Sequence, residues 1–185
     1  MIFWLKVLMN KKLCIIDYGI NNIHSVGKAL LRAGINFEII NNANKLNDFT
    51  HVILPGVGSF DVGIKKLKER NFYSFLKKND NLKIFGICLG MQLLFDSSEE
   101  SFFGEKGLSL IEGKVLKMKS YKKQNINIPQ IGWNELFKVN ESELMNELNQ
   151  QSFYFVNSYY VDPIDKNLIK FNYLHGKHYP AIIKK

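Results

Sequence analysis

The stretch Lys83-Ile-Phe-Gly-Ile-Cys-Leu-Gly-Met-Gln-Leu-Leu-Phe95 decides how this chain is read. Lys83 to Ile87 is a short apolar run that reads as a strand, and Leu89 to Phe95 reads as a helix. Between them, Gly86-Ile87-Cys88-Leu89-Gly90 has the form glycine, any residue, nucleophile, any residue, glycine. That is the nucleophile-elbow spacing, with Cys where hydrolases carry Ser. The turn is strained and neighbouring chain passes closely, so glycine is needed on both sides. Cys88 then stands exposed at the top of a sheet and at a helix start, where free N–H groups and the helix dipole favour a thiolate. A buried cysteine with incidental glycines is the competing reading, and the strand–helix context weighs against it.

The upstream sequence repeats this alternation. Leu13 to Ile16 reads as a strand ending in Asp17-Tyr18-Gly19. Ile23, Val26, Leu30 and Ala33 follow at helical spacing, and Gly34 stops that helix. Phe37 to Ile40 and His51 to Leu54 are further strands, the latter closed by Pro55-Gly56-Val57-Gly58. Ile64, Leu67, Phe72, Phe75 and Leu76 give another helical stretch, broken near Asn71. Strands alternating with helices imply right-handed crossovers and an α/β fold: an open, mostly parallel sheet with helices on both faces. Ligands bind such sheets at the carboxyl ends of the strands, so Asp17 to Asn22, Pro55 to Phe60 and the Cys88 turn share one edge. The two glycines of Pro55 to Gly58 let backbone N–H groups approach a ligand. With the N–H of Leu89 they form a candidate oxyanion hole, each donor being worth about 2.7–4 kcal/mol in a transition state.

After Gly107 the texture changes. Leu108 to Met118, Ile126 to Trp133, Phe153 to Val156, Leu168 to Tyr173 and His178 to Ile183 are β-branched or aromatic runs between polar turns. They predict a mostly antiparallel second half, with a helical interlude around Ser142 to Leu148. One domain over residues 12–185 is the simplest organisation. Residues 1–11 read as an extension, with Met9 as a candidate start.

The chain has 185 residues, 46% hydrophobic and 23% charged, a globular mixture. Its net charge of +8 is nearly all lysine, Arg32 and Arg70 being the only arginines. The lysines are scattered, with no arginine cluster or aromatic stacking strip, so a nucleic-acid partner is not expected. Two cysteines, Cys14 and Cys88, make no disulfide framework and point to a reducing cytoplasm. No segment reaches a membrane-spanning length, and neither a metal site nor a cofactor is expected.

Gly86-Ile-Cys-Leu-Gly-Met-Gln92 resembles the nucleophile motif of the class I (triad) glutamine amidotransferases, whose fold is flavodoxin-like. Ile16-Asp17-Tyr18-Gly19 with Asn22, Leu54 to Phe60, Ser98-Glu99-Glu100, Ile131-Gly-Trp-Asn134 and Phe155 to Tyr160 narrow the match to the branch serving imidazole glycerol phosphate synthesis. The resemblance covers about residues 12–183 and implies a glutaminase. Cys88 would attack the side-chain amide of L-glutamine and form a thioester. Val57, Gly58 and Leu89 would supply oxyanion donors; Gly58, Gln92, Glu100, Ser158 and Tyr159 would hold the substrate, with Glu100 taking its ammonium group. The implied partner is a (β/α)8 cyclase subunit, in a heterodimer, that uses the ammonia to make imidazole glycerol phosphate and aminoimidazole carboxamide ribotide in histidine biosynthesis. Asn22, Gln130, Trp133 and Asn134 would lie at that interface.

Departures from the family pattern keep alternatives open. The family completes its triad with a His-Pro-Glu motif near the carboxyl terminus, which residues 1–185 do not contain. His175 and His178 read as hairpin residues, and His24 and His51 align with no triad position. The chain is therefore expected to be a truncated product or a fragment, without normal turnover as it stands. Gln130 and Asn157 stand where the family usually or often has His, and Asn21 where it has Gly. These changes admit a paralogue feeding ammonia to sugar amination in surface-polysaccharide synthesis. A non-catalytic module for the same partner is the other alternative.

Overall fold

The computed structural model describes residues 12–120, 126–140 and 147–185. Two compact units divide the chain, residues 1–110 and residues 111–185.

In the first unit, β1 (Leu13–Ile16), β2 (Glu38–Ile40), β3 (His51–Leu54) and β4 (Lys83–Gly86) form a parallel sheet in the order β2-β1-β3-β4. Register places Ile15 beside Ile39 and Ile53, and Ile53 beside Phe85. Because strand side chains alternate, Leu13, Ile15 and Ile53 share one face. There they pack against Ile23, Val26 and Leu30 of α1 (Ile23–Arg32). Cys14, Ile16, Val52 and Leu54 point to the other face and are fully buried. Burial pushes the Cys14 thiol up to about 12, so it stays protonated and inert.

Two helix boundaries fall where the sequence predicts. The Asn22 side chain caps α1 by accepting from the Ser25 N–H at 3.3 Å, and Gly34 leaves the helix with φ +70°. The expected break near Asn71 is a left-handed residue (φ 61°) between α2 (Phe60–Glu69) and α3 (Phe72–Lys78). One feature is unannounced in the sequence and one differs from expectation. Ala43–Asp48 forms a 3-10 helix, opened by the Asn42 side chain. The helix expected over Leu89 to Phe95 is a single turn, α4 (Leu89–Gln92). The carbonyls of Leu93 and Leu94 accept from the N–H groups of Leu108 and Leu110, both at 2.8 Å, so no continuing helix can use them.

Parallel order brings the ends of β1, β3 and β4 to one edge, with the loops after each strand, as the alternation predicts. No helix among the described residues is long and apolar enough to cross a membrane.

The second unit is antiparallel. Its strands are β5 (Gly113–Lys117), β6 (Gln130–Glu135), β7 (Phe137–Lys138), β8 (Ser152–Asn157), β9 (Tyr159–Pro163), β10 (Ile169–His175) and β11 (Lys177–Ile183). β9 pairs with β5, β6 with β8, and β10 with both β7 and β11. Met118, Tyr173 and Tyr179 form its buried centre with Phe155 and Tyr160 against them, Phe155 stacking on Tyr173 at 4.1 Å. Gly176 (φ 75°) turns the β10–β11 hairpin. The expected N-terminal extension over residues 1–11 and most of the interlude at Ser142 to Leu148 fall outside the described residues.

Candidate active site

Cys88 joins β4 to α4 with φ 54° and ψ −116°, a backbone conformation that a side chain adopts only at a cost. Such strain in a non-glycine residue marks a geometry the surroundings enforce. The flanking glycines show what enforces it. A Cβ on Gly86 would lie 2.6 Å from the Met91 backbone, and one on Gly90 would lie 1.8 Å from the Leu54 carbonyl oxygen. Neither position has room for any side chain, which accounts for the Gly-x-Cys-x-Gly spacing.

The loop after β3 lies directly against this elbow. A Cβ on Gly56 would meet the Gly90 nitrogen at 2.9 Å and the Leu89 Cβ at 3.0 Å. Pro55 and Gly56 are buried, whereas Val57 and Gly58 are exposed, so the loop has a buried root and an open tip. Gly58 has φ +96° and open space around its Cα. The expected donors are not equivalent, however. The Val57 N–H donates to the Ile20 carbonyl at 3.4 Å, so in this conformation it is directed to the loop after β1 and not to an oxyanion.

Cys88 is exposed, yet the protein packed around its sulfur pushes the thiol above its ordinary value. A hydrogen bond from the Leu89 N–H works the other way, and the negative charge of Glu100 adds to the rise. The expected thiolate is thus disfavoured; α4 is only one turn long, too short for a strong dipole. Alkylation of Cys88 by iodoacetamide should keep accelerating as pH rises beyond the normal thiol range. Glu100→Gln should move that profile to lower pH, because a negative neighbour has been removed. An unchanged profile in the variant would show that Glu100 has no electrostatic contact with the sulfur.

Glu100 is held by α2. Its Oε2 accepts from the Phe60 N–H at 2.8 Å and caps the helix, a role the Ser59 side chain leaves unfilled. The carboxylate therefore sits one residue beyond Gly58-Ser59. Gln92 closes α4 and is half-buried, its N–H on the Cys88 carbonyl at 3.2 Å. Cys88, Val57, Gly58, Leu89, Gln92 and Glu100 thus all belong to the first unit and to the loops and helix starts on one sheet edge. Ser158 and Tyr159 belong to the second unit, where the Ser158 carbonyl accepts from Met118 at 2.9 Å and Tyr159 begins β9.

No histidine of the first unit serves this elbow. His51 begins β3 and is in register with Lys83, at the opposite ends of the strands from Cys88, and His24 lies on α1. In the second unit His175 bonds the Asn127 carbonyl at 2.9 Å and His178 packs edge-on against Phe137. Among the described residues no group of three His, Cys, Asp or Glu could hold a metal ion.

The expected interface residues separate. Trp133 is 71% exposed and makes an edge-on contact with Tyr154, its cross-strand partner, at 5.6 Å. Ile131 and Val156 extend the same exposed face. Gln130 is only 6% exposed, paired across the strands with Asn157, and Asn134 has a buried amide nitrogen. Both lie on the reverse face, as strand alternation requires: positions 130 and 134 share one face and 133 the other. Asn157 donates to the Tyr173 hydroxyl at 2.9 Å and to the Tyr159 carbonyl at 3.1 Å. Asn22 is the cap of α1, as described, and Asn21 ties its loop by donating to Ile16 and Asp17, each at 3.4 Å. Two contributors escape a reading of the sequence. One is the Ile20 carbonyl; the other is Tyr18, fully buried, whose hydroxyl donates to the Pro55 carbonyl at 2.7 Å. The only signal for Tyr18 is its place in Asp-Tyr-Gly directly after a strand.

Comparison with known proteins follows the same lines. The family described as "Glutamine amidotransferase class-I" matches residues 14–185. The imidazole glycerol phosphate synthase subunit HisH of Trichodesmium erythraeum is 42% identical over 168 residues, which are 89% of this chain and 77% of that protein. HisH of Bacillus subtilis is 37% identical over 175 residues, 92% of this chain and 82% of that one. Among solved structures, a glutamine amidotransferase superposes with TM-score 0.66 at 16% identity, covering 89% of this chain and 85% of that one. The PurLQS structure from Thermotoga maritima gives TM-score 0.63 at 18% identity, covering 92% and 77%. At those identities the two structures speak to the fold alone, an α/β sheet with antiparallel additions.

Proposed function

Because the chain belongs to the class I glutamine amidotransferases, and within them to the HisH family, we propose that it is a glutaminase subunit acting through Cys88. The observation that carries this reading is the strained Cys88 elbow with the Gly56 loop packed against it. The Cys88 sulfur attacks the side-chain carbonyl carbon of glutamine. The carbonyl oxygen becomes an oxyanion facing the N–H groups of Leu89 and Gly58, and that of Val57 once it leaves Ile20. Collapse breaks the carbon–nitrogen bond, and ammonia departs with a proton. Water then cleaves the thioester, giving glutamate and the free thiol. Glu100 takes the substrate ammonium with the carboxylate oxygen that Phe60 leaves open, while Gln92 serves the neighbouring α-carboxylate.

Each attack needs a base, and the raised Cys88 thiol makes the need greater. The family's His-Pro-Glu motif is absent from residues 1–185. A polypeptide of these residues alone should bind glutamine yet turn it over severely slowly. Binding is testable without turnover: saturating glutamine should protect Cys88 from iodoacetamide, whereas glutamate should not. Equal alkylation with and without glutamine would contradict the reading.

The ammonia passes to a (β/α)8 cyclase partner in a cytoplasmic heterodimer, where it enters imidazole glycerol phosphate. Both relatives described above carry the HisH name, which favours the histidine pathway over sugar amination. On the partner-facing side, Trp133 is the natural anchor, because aromatic residues exposed in the free subunit dominate docking energetics. Trp133→Ala should weaken cyclase binding by about 30-fold, the equivalent of about 2 kcal/mol. Titration calorimetry with the purified cyclase measures this, and Gln130→Ala, on the buried face, should act through the stability of the β6–β8 pair instead.

A further inference from the structure

The loop after β1 grips the oxyanion loop at two points, on either side of Gly56. On one side the Tyr18 hydroxyl donates to the Pro55 carbonyl at 2.7 Å. On the other the Val57 N–H reaches the Ile20 carbonyl at the longer distance of 3.4 Å. The first contact is short and buried, and the second is weak and lies at the exposed tip. The two therefore differ in kind: one fixes the root of the loop, and the other can be exchanged.

Tyr18 is itself firmly placed. Its ring is fully buried. The preceding residue, Asp17, is held through its N–H on the Ile40 carbonyl at 2.8 Å and through its own carbonyl, which accepts from Arg70 Nη1 at 3.0 Å. The Asp17 side chain accepts from the Gly19 N–H at 3.0 Å, closing the turn around Tyr18. The hydroxyl also lies 2.5 Å from where a Gly56 Cβ would stand, so oxygen and glycine fill the same space. A buried carbonyl needs a partner, and that of Pro55 finds one in Tyr18. Fixing that carbonyl fixes the plane of the Pro55–Gly56 peptide. The next two N–H groups, of Val57 and Gly58, are then directed by the Gly56 and Val57 dihedrals from a set starting point.

We propose that Tyr18 is a positioning residue for the oxyanion loop: its hydroxyl pins the Pro55 carbonyl and so fixes the root from which the Gly58 N–H serves the Cys88 elbow, and from which that of Val57 turns to it on leaving Ile20. The proposal rests on the glutaminase reading given above. Phenylalanine at this position would keep the buried ring but free the loop root, leaving an unpaired carbonyl beneath it. Cys88 would keep its access and its intrinsic reactivity, while losing the aligned donors that stabilise charge on a bound carbonyl oxygen.

The test compares two alkylating agents on the full chain. Iodoacetamide reacts by simple displacement and needs no oxyanion donor. A chloroketone analogue of glutamine places a carbonyl in the donor site. Since both need the same thiolate, the ratio of their rates at Cys88 cancels changes in thiol reactivity, and thermal unfolding checks that each variant is folded at the assay temperature. In Tyr18→Phe the ratio should fall by about tenfold or more, on the scale of a mispositioned donor. 3-Fluorotyrosine placed at position 18 retains the hydroxyl and should keep the original ratio, which also serves if the phenylalanine variant fails to fold. An unchanged ratio in Tyr18→Phe, or a fall with fluorotyrosine, overturns the role of Tyr18. If the unmodified chain shows no preference for the chloroketone and no protection by glutamine, the reading of the site itself is overturned.

Discussion

Cys88→Ala is expected to abolish glutamine-driven synthesis in the complex with the cyclase while leaving synthesis from added ammonium salts unchanged. Removing the nucleophile of a covalent hydrolase costs on the order of 10⁶ in turnover when the rest of the machinery is present. The split between the two nitrogen sources is the informative part. Alanine fits the elbow without new contacts, since Cys88 is exposed and its sulfur is the only atom removed. The partner's own chemistry is untouched, because ammonia arriving from solvent replaces ammonia released at Cys88. Parallel loss of both activities would mean that Cys88 supports the fold or the interface and does not carry the reaction. Steady-state assays with each nitrogen source, on the chain followed by a His-Pro-Glu segment and on the Cys88→Ala variant of that form, make the distinction.

The second large effect concerns shape. Gly90→Ala is expected to destabilise the first unit by about 3 kcal/mol or more. An alanine methyl there would fall 1.8 Å from the Leu54 carbonyl oxygen, a backbone atom that cannot swing aside as a side chain could. Either β3 or the elbow must move, and both carry parts of the site. For a chain of this size the fall in Tm should be roughly 6–12 °C, at about 2–4 °C per kcal/mol. Gly34→Ala is the control. It too has positive φ, +70°, but nothing lies within 4 Å of the added carbon, so only about 1 kcal/mol of stability is lost, to backbone strain. Thermal unfolding of the two variants separates steric from conformational need for glycine. Similar losses in both would show that the close approach at Gly90 relaxes.

Much of this architecture is legible in the amino-acid sequence. Alternating apolar runs place β1, β3 and β4, and a parallel reading puts their loops on one edge, because the rules linking strand order to crossover need no tertiary detail. The elbow is legible because sterics at Gly86 and Gly90 leave a trace in the sequence itself. What is not legible depends on partners distant in the chain. Leu93 and Leu94 look helical, but the carbonyls they would spend on a helix are taken by Leu108 and Leu110. Glu100 reads as a lone charge available to substrate, yet it also caps α2 at Phe60, forty positions away. Val57 reads as a ready donor, and its engagement with Ile20 is a matter of one peptide's orientation. Gln130 and Asn134 part from Trp133 for a simpler reason. The motif reads as a unit, although period-two alternation already divides it between two faces.

The site joins two kinds of constraint. Backbone crowding around Gly56, Gly86 and Gly90 fixes where Cys88 stands, and does so without any charged group. The electrostatics do not complete the task, since burial and Glu100 both hold the thiol protonated and only the Leu89 N–H opposes them. A base must supply the difference.

The most direct test of that account is ammonia release from glutamine, measured with the cyclase and its nucleotide substrate present. Three polypeptides suffice: residues 1–185, the same chain followed by a His-Pro-Glu segment, and that longer form with Cys88→Ala. Turnover should be severely depressed in the first, restored in the second and absent from the third. Normal turnover by residues 1–185 alone, or turnover that survives loss of Cys88, would contradict it.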